Sequence, residues 1–194
     1  YGTGRNAVKF WRNGELINSI LHNVTHIDDG AIIVDEGPFR MIHSLLLGHP
    51  VGYAGAFSYN QPSTALLEIV NSGFGECRSF YTNSANLRAL NNRFFNLVEE
   101  PPLFSGAVEA ADPAALNALP ACGGNALSGP PFVNPAAGDF SLLAGSDWIN
   151  AGADAAAGVL LPSFDLAGKP RIVGSAPDTG PLERSAPASA WISR

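Results

Sequence analysis

Lys9, Trp11, Arg12, Asp35 and Glu36 place a base, a flat aromatic surface, a guanidinium and two carboxylates in the N-terminal part of the chain. Such residues stack a sugar ring and hold a charged group beside it, so Lys9, Trp11, Arg12 and Asp35 are the candidate ligand-binding residues. Were the chain an enzyme, Lys9 would be a candidate for the acid–base chemistry. Hydrolysis of a glycosidic bond takes two carboxylates, and elimination from an acidic sugar takes a basic side chain. His22, His26, His43 and His49 lie in the same stretch. His26 and His49 with Asp28 could ligate a metal, but single histidines in turns are the plainer reading, and no metal or cofactor is expected. Cys77 and Cys122 either pair as a disulfide in an oxidising compartment or sit apart as small buried hydrophobes. No Ser/His/Asp elbow, phosphate loop or dinucleotide fingerprint is present, and Asn23-Val24-Thr25 is a glycosylation sequon only in a glycosylating secretory host.

Short recurring segments must position these groups. Ala7-Val8-Lys9-Phe10-Trp11, Ala31-Ile32-Ile33-Val34-Asp35, Ala56-Phe57-Ser58-Tyr59-Asn60 and Phe80-Tyr81-Thr82-Asn83-Ser84 begin at residues 7, 31, 56 and 80, in steps of 24, 25 and 24. Between them fall second apolar segments around Leu16-Ile17, Met41-Ile42, Ile69-Val70 and Ala89-Leu90. Each is followed by a polar pair: Asn18-Ser19, His43-Ser44, Asn71-Ser72 or Asn91-Asn92. A fixed period of this length means units that cannot bury their own apolar faces and must stack on their neighbours. The Leu-x-x-Leu-x-Leu spacing of a leucine-rich repeat is absent, and β-branched and aromatic residues alternating with polar ones suit strands. The register puts Val8, Ile32, Phe57 and Tyr81 in one inward column and Phe10, Val34 and Tyr59 in a second. Successive units then lie about 4.8 Å apart. Lys9, Ile33, Ser58 and Thr82 face outward in one row, and Trp11, Asp35, Asn60 and Ser84 in the next. The polar pairs belong at a bend, where Asn tolerates the turn conformation and bonds along the stack.

Bulk properties exclude several classes. Only 14% of residues are charged, and 21 Gly and 15 Pro favour many short elements over long helices. A net charge of −6 with no Lys/Arg cluster argues against a nucleic-acid partner. No apolar run approaches the roughly 20 residues that cross a bilayer as a helix. The sequence opens at Tyr1 with no signal-like segment, so the true N-terminus is expected elsewhere.

From Glu99 the period fades. Asp112-Pro113-Ala114-Ala115-Leu116-Asn117-Ala118-Leu119 carries an N-cap, a Pro at the first helical position and good helix formers, which predicts one short helix. Beyond it come Phe132-Val133-Asn134-Pro135, Gly138-Asp139-Phe140-Ser141-Leu142 and Ala144-Gly145-Ser146-Asp147-Trp148-Ile149-Asn150-Ala151-Gly152. Asp165-Leu166-Ala167-Gly168-Lys169-Pro170-Arg171 and Asp178-Thr179-Gly180-Pro181-Leu182-Glu183 follow. Residues 132 to 183 resemble the closing region of bacterial right-handed parallel β-helix repeat proteins of the pectate-lyase-like superfamily, often surface proteins with a choice-of-anchor domain. Asp147-Trp148, Asn150 and Pro181 depart from that family's usual residues. Asp28-Asp29 and Gly48-His49 also resemble the paired-Asp and Gly-His elements of polygalacturonase-type hydrolases, which implies Asp28, Asp29 and His49, with Lys9, as the catalytic residues were the chain an enzyme. The further upstream Asp and downstream Arg-x-Lys of those enzymes are missing.

The expected fold is therefore all-β: a right-handed parallel β-helix of about four coils over residues 1–98, an irregular cap with one short helix over 99–183, and a tail over 184–194 with Trp191-Ile192 docked on a partner. The resemblance implies an exported or cell-surface protein. The expected role is non-catalytic, structural or adhesive, in a larger assembly whose other subunit or upstream fragment stacks on the N-terminal coil. A polysaccharide-active or glycan-binding protein is the alternative.

Overall fold

The computed structural model describes residues 8–23, 31–35, 37–49, 57–78, 80–98 and 103–184, and of residues 49 and 57–63 the backbone alone. It is an all-β structure with parallel sheets and one short helix. The first sheet runs β1 (Val8–Phe10), β4 (Ile32–Val34), β7 (Phe57–Ser63), β10 (Phe80–Ser84) and β13 (Phe104–Gly106). The second orders β2 (Gly14–Ile17), β5 (Phe39–Ile42), β8 (Leu67–Val70) and β11 (Leu87–Leu90). The third orders β3 (Ile20–His22), β6 (Leu45–His49), β9 (Gly73–Cys77), β12 (Arg93–Phe95) and β14 (Ala126–Leu127). Three consecutive strands thus contribute one to each sheet, and each such set, here a tier, pairs in parallel with the next.

Val8, Ile32, Phe57, Phe80 and Phe104 are register partners. In the fourth tier this lies one residue before the expected Tyr81. The phenol explains the slip: Phe80 has no hydroxyl to satisfy and is buried, whereas Tyr81 is 37% exposed and donates its OH to Asn83 Oδ1 at 3.0 Å. Phe80 stacks on Phe104 at 4.8 Å and meets Phe74 edge-on at 4.8 Å, an arrangement the ring quadrupoles favour. Thr82 and Ser84, expected outside, are buried instead. The Ser84 N–H donates to Thr82 Oγ1 and the Ser84 hydroxyl to Ala65 O, so neither is buried without a partner. Ser84 pairs with Ser63 rather than Asn60, because the ladder shifts register after Thr82. Ile33, expected outside, is also buried.

The corner after the second sheet is set by the polar pairs. Asn18, His43, Asn71 and Asn91 have φ of 49°, 46°, 51° and 52°, the left-handed region that Asn enters at little cost. The following residues form a ladder. The N–H of Ser19 donates to Ser44 Oγ, that of Ser44 to Ser72 Oγ, that of Ser72 to Asn92 Oδ1 and that of Asn92 to Asn125 Oδ1, at 3.0 to 3.2 Å. Asn125 N–H continues it to Asn117 Oδ1, in helix α1 (Pro113–Asn117), which Asp112 caps. Parallel pairing therefore extends past residue 98 into β13 and β14. The intervening residues break the repeat spacing because they include α1.

The third sheet is apolar on both sides. Phe74 and Phe94 face the main core, while Leu45, Leu47 and Phe95 form a second cluster with Trp148, Phe132 and Leu142. Phe132 and Leu142 lie in the antiparallel pair β15 (Phe132–Asn134) and β16 (Asp139–Leu142). Gly73 leaves the space that the Trp148 ring fills, and the indole N–H donates to Ser128 Oγ at 2.9 Å. On the second sheet Ile42 and Val70 pack with Ala153 and Val159. The segment after β14 thus covers the outer face of the third sheet at Leu45, Leu47 and Phe95 and that of the second at Ile42 and Val70.

Candidate functional site

The first sheet brings part of the expected ligand-binding set together. Because Lys9 and Ile33 are register partners, Asp35 sits just beyond β4 within reach of the ammonium. Lys9 Nζ lies 3.0 Å from Asp35 Oδ2 and 4.3 Å from the centroid of the Trp11 ring. Trp11 is 72% exposed, and Arg12 is exposed beside it. The arrangement can stack a ring and hold a polar group, and among the described residues its carboxylate, Asp35, is paired with the Lys9 ammonium.

The remaining catalytic candidates are not gathered by the described residues. Asp28, Asp29 and His26 lie outside them, as do Glu36 and residues 185–194 with Trp191-Ile192. His49 is described only by its backbone, opposite Cys77. His22 meets Phe140 edge-on at 5.1 Å. Among the described residues no group of three or more His, Cys, Asp or Glu side chains could hold a metal, and no helix is long and apolar enough to cross a membrane. Cys77 and Cys122 are both free thiols, so the disulfide alternative is not formed in this structure. Both pack against the main core, and burial pushes the Cys77 thiol up to about 12.

Two charged arrays emerge that the repeat did not announce. On the outer face of the second sheet Glu15, Arg40, Glu68 and Arg88 are successive register partners. Arg40 bonds Glu15 at 3.2 Å and Glu68 at 2.7 Å, and Arg88 bonds Glu68 at 2.6 Å. Signs alternate down the column, so each step is attractive.

The second array is a buried clasp between the Asn/His corner and residues 148–184. Arg171 donates to Glu183 at 3.0 Å, to Gly180 O at 3.2 Å, to Pro181 O at 3.1 Å and to Asn18 Oδ1. His43 Nδ1 lies 3.2 Å from Gly180 O, and its Nε2 lies 3.0 Å from Asn71 Nδ2. Those partners require the tautomer with the proton on Nδ1. Burial, then the adjacent Arg171 charge, lowers His43 to about 3, so the ring stays neutral. Burial, then Asp178, raises Glu183 to about 7. Asp178 and Asp165 accept backbone N–H groups of Asn150, Arg184, Lys169 and Glu183. Asn71 exchanges two bonds with Ala153 at 2.6 and 2.7 Å, and Asn91 donates to Ala151 O at 2.7 Å. Arg171, Glu183, Asp165 and Asp178 of the closing signature thus hold that segment together and to the corner, while Lys169 and Glu183 also line a surface pocket with Ser141, Leu142 and Arg184. The sequence marks Arg171 and Glu183 only as signature residues, because His43 and Asn18, the partners of Arg171, lie far away in the chain. The chain matches no protein-family model, no curated protein and no solved structure.

Proposed function

We propose that the chain is a right-handed parallel β-helix with an irregular cap, the closing part of an exported, pectate-lyase-like surface protein. In this reading it is a non-catalytic structural or adhesive module that joins a larger assembly through the edge formed by β1, β2 and β3. The supporting observation is graded burial. Val8, Leu16 and Leu21 of the first tier are only half-buried, whereas their register partners Ile32, Met41 and Leu46 are fully buried. At the opposite end Val108, Ala110 and Leu116 close the core. Covering an apolar side chain fully is worth about 1.5–3 kcal/mol, so the first tier gains by acquiring a neighbour. Unpaired strand edges are also sites that proteins cover or protect.

The test is the mass of native material by sedimentation. The reading predicts a species well above the 20.2 kDa of the chain, and a monodisperse 20 kDa monomer contradicts it. A second reading, glycan binding, draws on the exposed Trp11 with Lys9 and Asp35. It predicts that Trp11→Ala abolishes retention on a glycan array. Turnover of uronate or neutral glycans, lost in Asp28→Asn or Lys9→Ala, would instead favour an enzyme.

A further inference from the structure

We infer that the edge of β1, β2 and β3 accepts one further tier running parallel to it, with a basic side chain opposite Glu15 and an acidic side chain opposite Lys9. This specifies the partner chemistry of the assembly reading above and rests on it.

The column rule carries the inference. Glu68, inside the stack, is held from both sides by Arg40 and Arg88, whereas Glu15 at the end is held, among the described residues, by Arg40 alone and is 54% exposed. Continuing the alternation places a cation beyond Glu15. Lys9 has no charged register partner, since Ile33 stands opposite it, and reaches Asp35 two residues further on; an acidic side chain at the equivalent place in a preceding tier would give the ammonium a second anion. The corner ladder adds polarity: each tier's backbone N–H donates to the side-chain oxygen of the next, and Ser19 Oγ is the first such oxygen in the series. A preceding tier would supply the N–H that Ser19 Oγ accepts.

Backbone direction agrees. Val8, Gly14, Asn18 and Asn23 donate toward the second tier. In a parallel ladder alternate residues point to opposite sides, so the N–H groups of Lys9, Glu15, Ile17 and His22 face the edge that no described strand covers. A second intact copy cannot supply this partner with its far end, because Leu116, Ala110 and Val108 close it.

The chain contains a probe of the required kind. A peptide of residues 31–49 carries Asp35, Arg40 and Ser44 at the positions that would face Lys9, Glu15 and Ser19. Fluorescence anisotropy with the full chain should show binding, at least ten-fold weaker for the peptide bearing Asp35→Lys and Arg40→Glu. A full chain bearing Lys9→Glu and Glu15→Arg should reverse that preference. Residues 31–56 fused ahead of residue 8 give the same comparison as a difference in melting midpoint, without dependence on peptide solubility. Equal affinity for the two peptides together with equal midpoints for the two fusions overturns the inference, as does the absence of either effect. If native material nevertheless sediments as an assembly, the assembly reading survives and only the charge rule falls.

Discussion

Arg171 Nη1 and Glu183 Oε1 lie 3.0 Å apart with side chains 2% and 1% exposed, an ion pair sealed between the closing segment and the corner that Asn18 and His43 form. Removing one partner leaves the other charge buried. Above about pH 7, where the Glu183 carboxyl is ionised, Glu183→Ala is therefore expected to cost about 3–5 kcal/mol in chemical denaturation. Replacing both, as Arg171→Met with Glu183→Leu, should cost clearly less than the two single changes added together. Additive losses would show that the pair is not coupled.

The same clasp sets a pH response. Glu183 is raised from 4.5 to about 7, so between those values the folded state holds a proton the unfolded state lacks, and stability rises as pH falls. His43 is lowered from 6.5 to about 3, so between those values the unfolded state holds the extra proton, and stability falls as pH falls. Over the shared range, about 6.5 to 4.5, the two slopes oppose each other; below about 4.5 only the histidine slope remains, at about 1.4 kcal/mol per pH unit. Urea midpoints measured against pH should thus stay level down to about 4.5 and then drop. Glu183→Gln should move the onset of the drop up to about 6.5, and an unchanged onset would count against this account.

Asn71 does two jobs, holding φ at 51° and bonding Ala153 on both its N–H and its O. Asn71→Ala and Asn71→Gly both lose the side-chain bonds, leaving buried partners at about 1–3 kcal/mol each. Only Ala also strains the backbone, so the Ala variant should be the less stable by about 1 kcal/mol. Equal melting temperatures for the two would remove the role assigned to the left-handed turn.

The first sheet was legible because its partners keep nearly constant spacing, with Val8, Ile32 and Phe57 aligned as expected. The charge column was not, since Glu15, Arg40, Glu68 and Arg88 are separated by 25, 28 and 20 residues. Loops of unequal length between the sheets conceal an alternation that the backbone restores. Tyr81 was misplaced for the same reason: a fixed step assigned it the inward position that its neighbour Phe80 occupies. The turn role of Asn18, His43, Asn71 and Asn91 was readable from residue type, whereas the contact of His43 with Arg171, 128 residues on, has no local signal.

The thiols offer a check on packing. Cys77 is fully buried and its thiol is pushed up to about 12, while Cys122 is half-buried with its thiol raised by burial. Labelling the native protein with a thiol reagent should leave Cys77 untouched and modify Cys122 slowly, and unfolding under non-reducing conditions should expose two reactive groups. Finding none after unfolding would mean the two are bonded to each other.

Stacking of successive tiers is tested most directly by amide hydrogen exchange, resolved by residue, on the isolated chain. Arg40 and Ile42 face the first tier across the β2–β5 ladder, while Glu15 and Ile17 face the open edge. The account predicts strong protection at Arg40 and Ile42 and fast exchange at Glu15 and Ile17. Equally fast exchange at all four would contradict it.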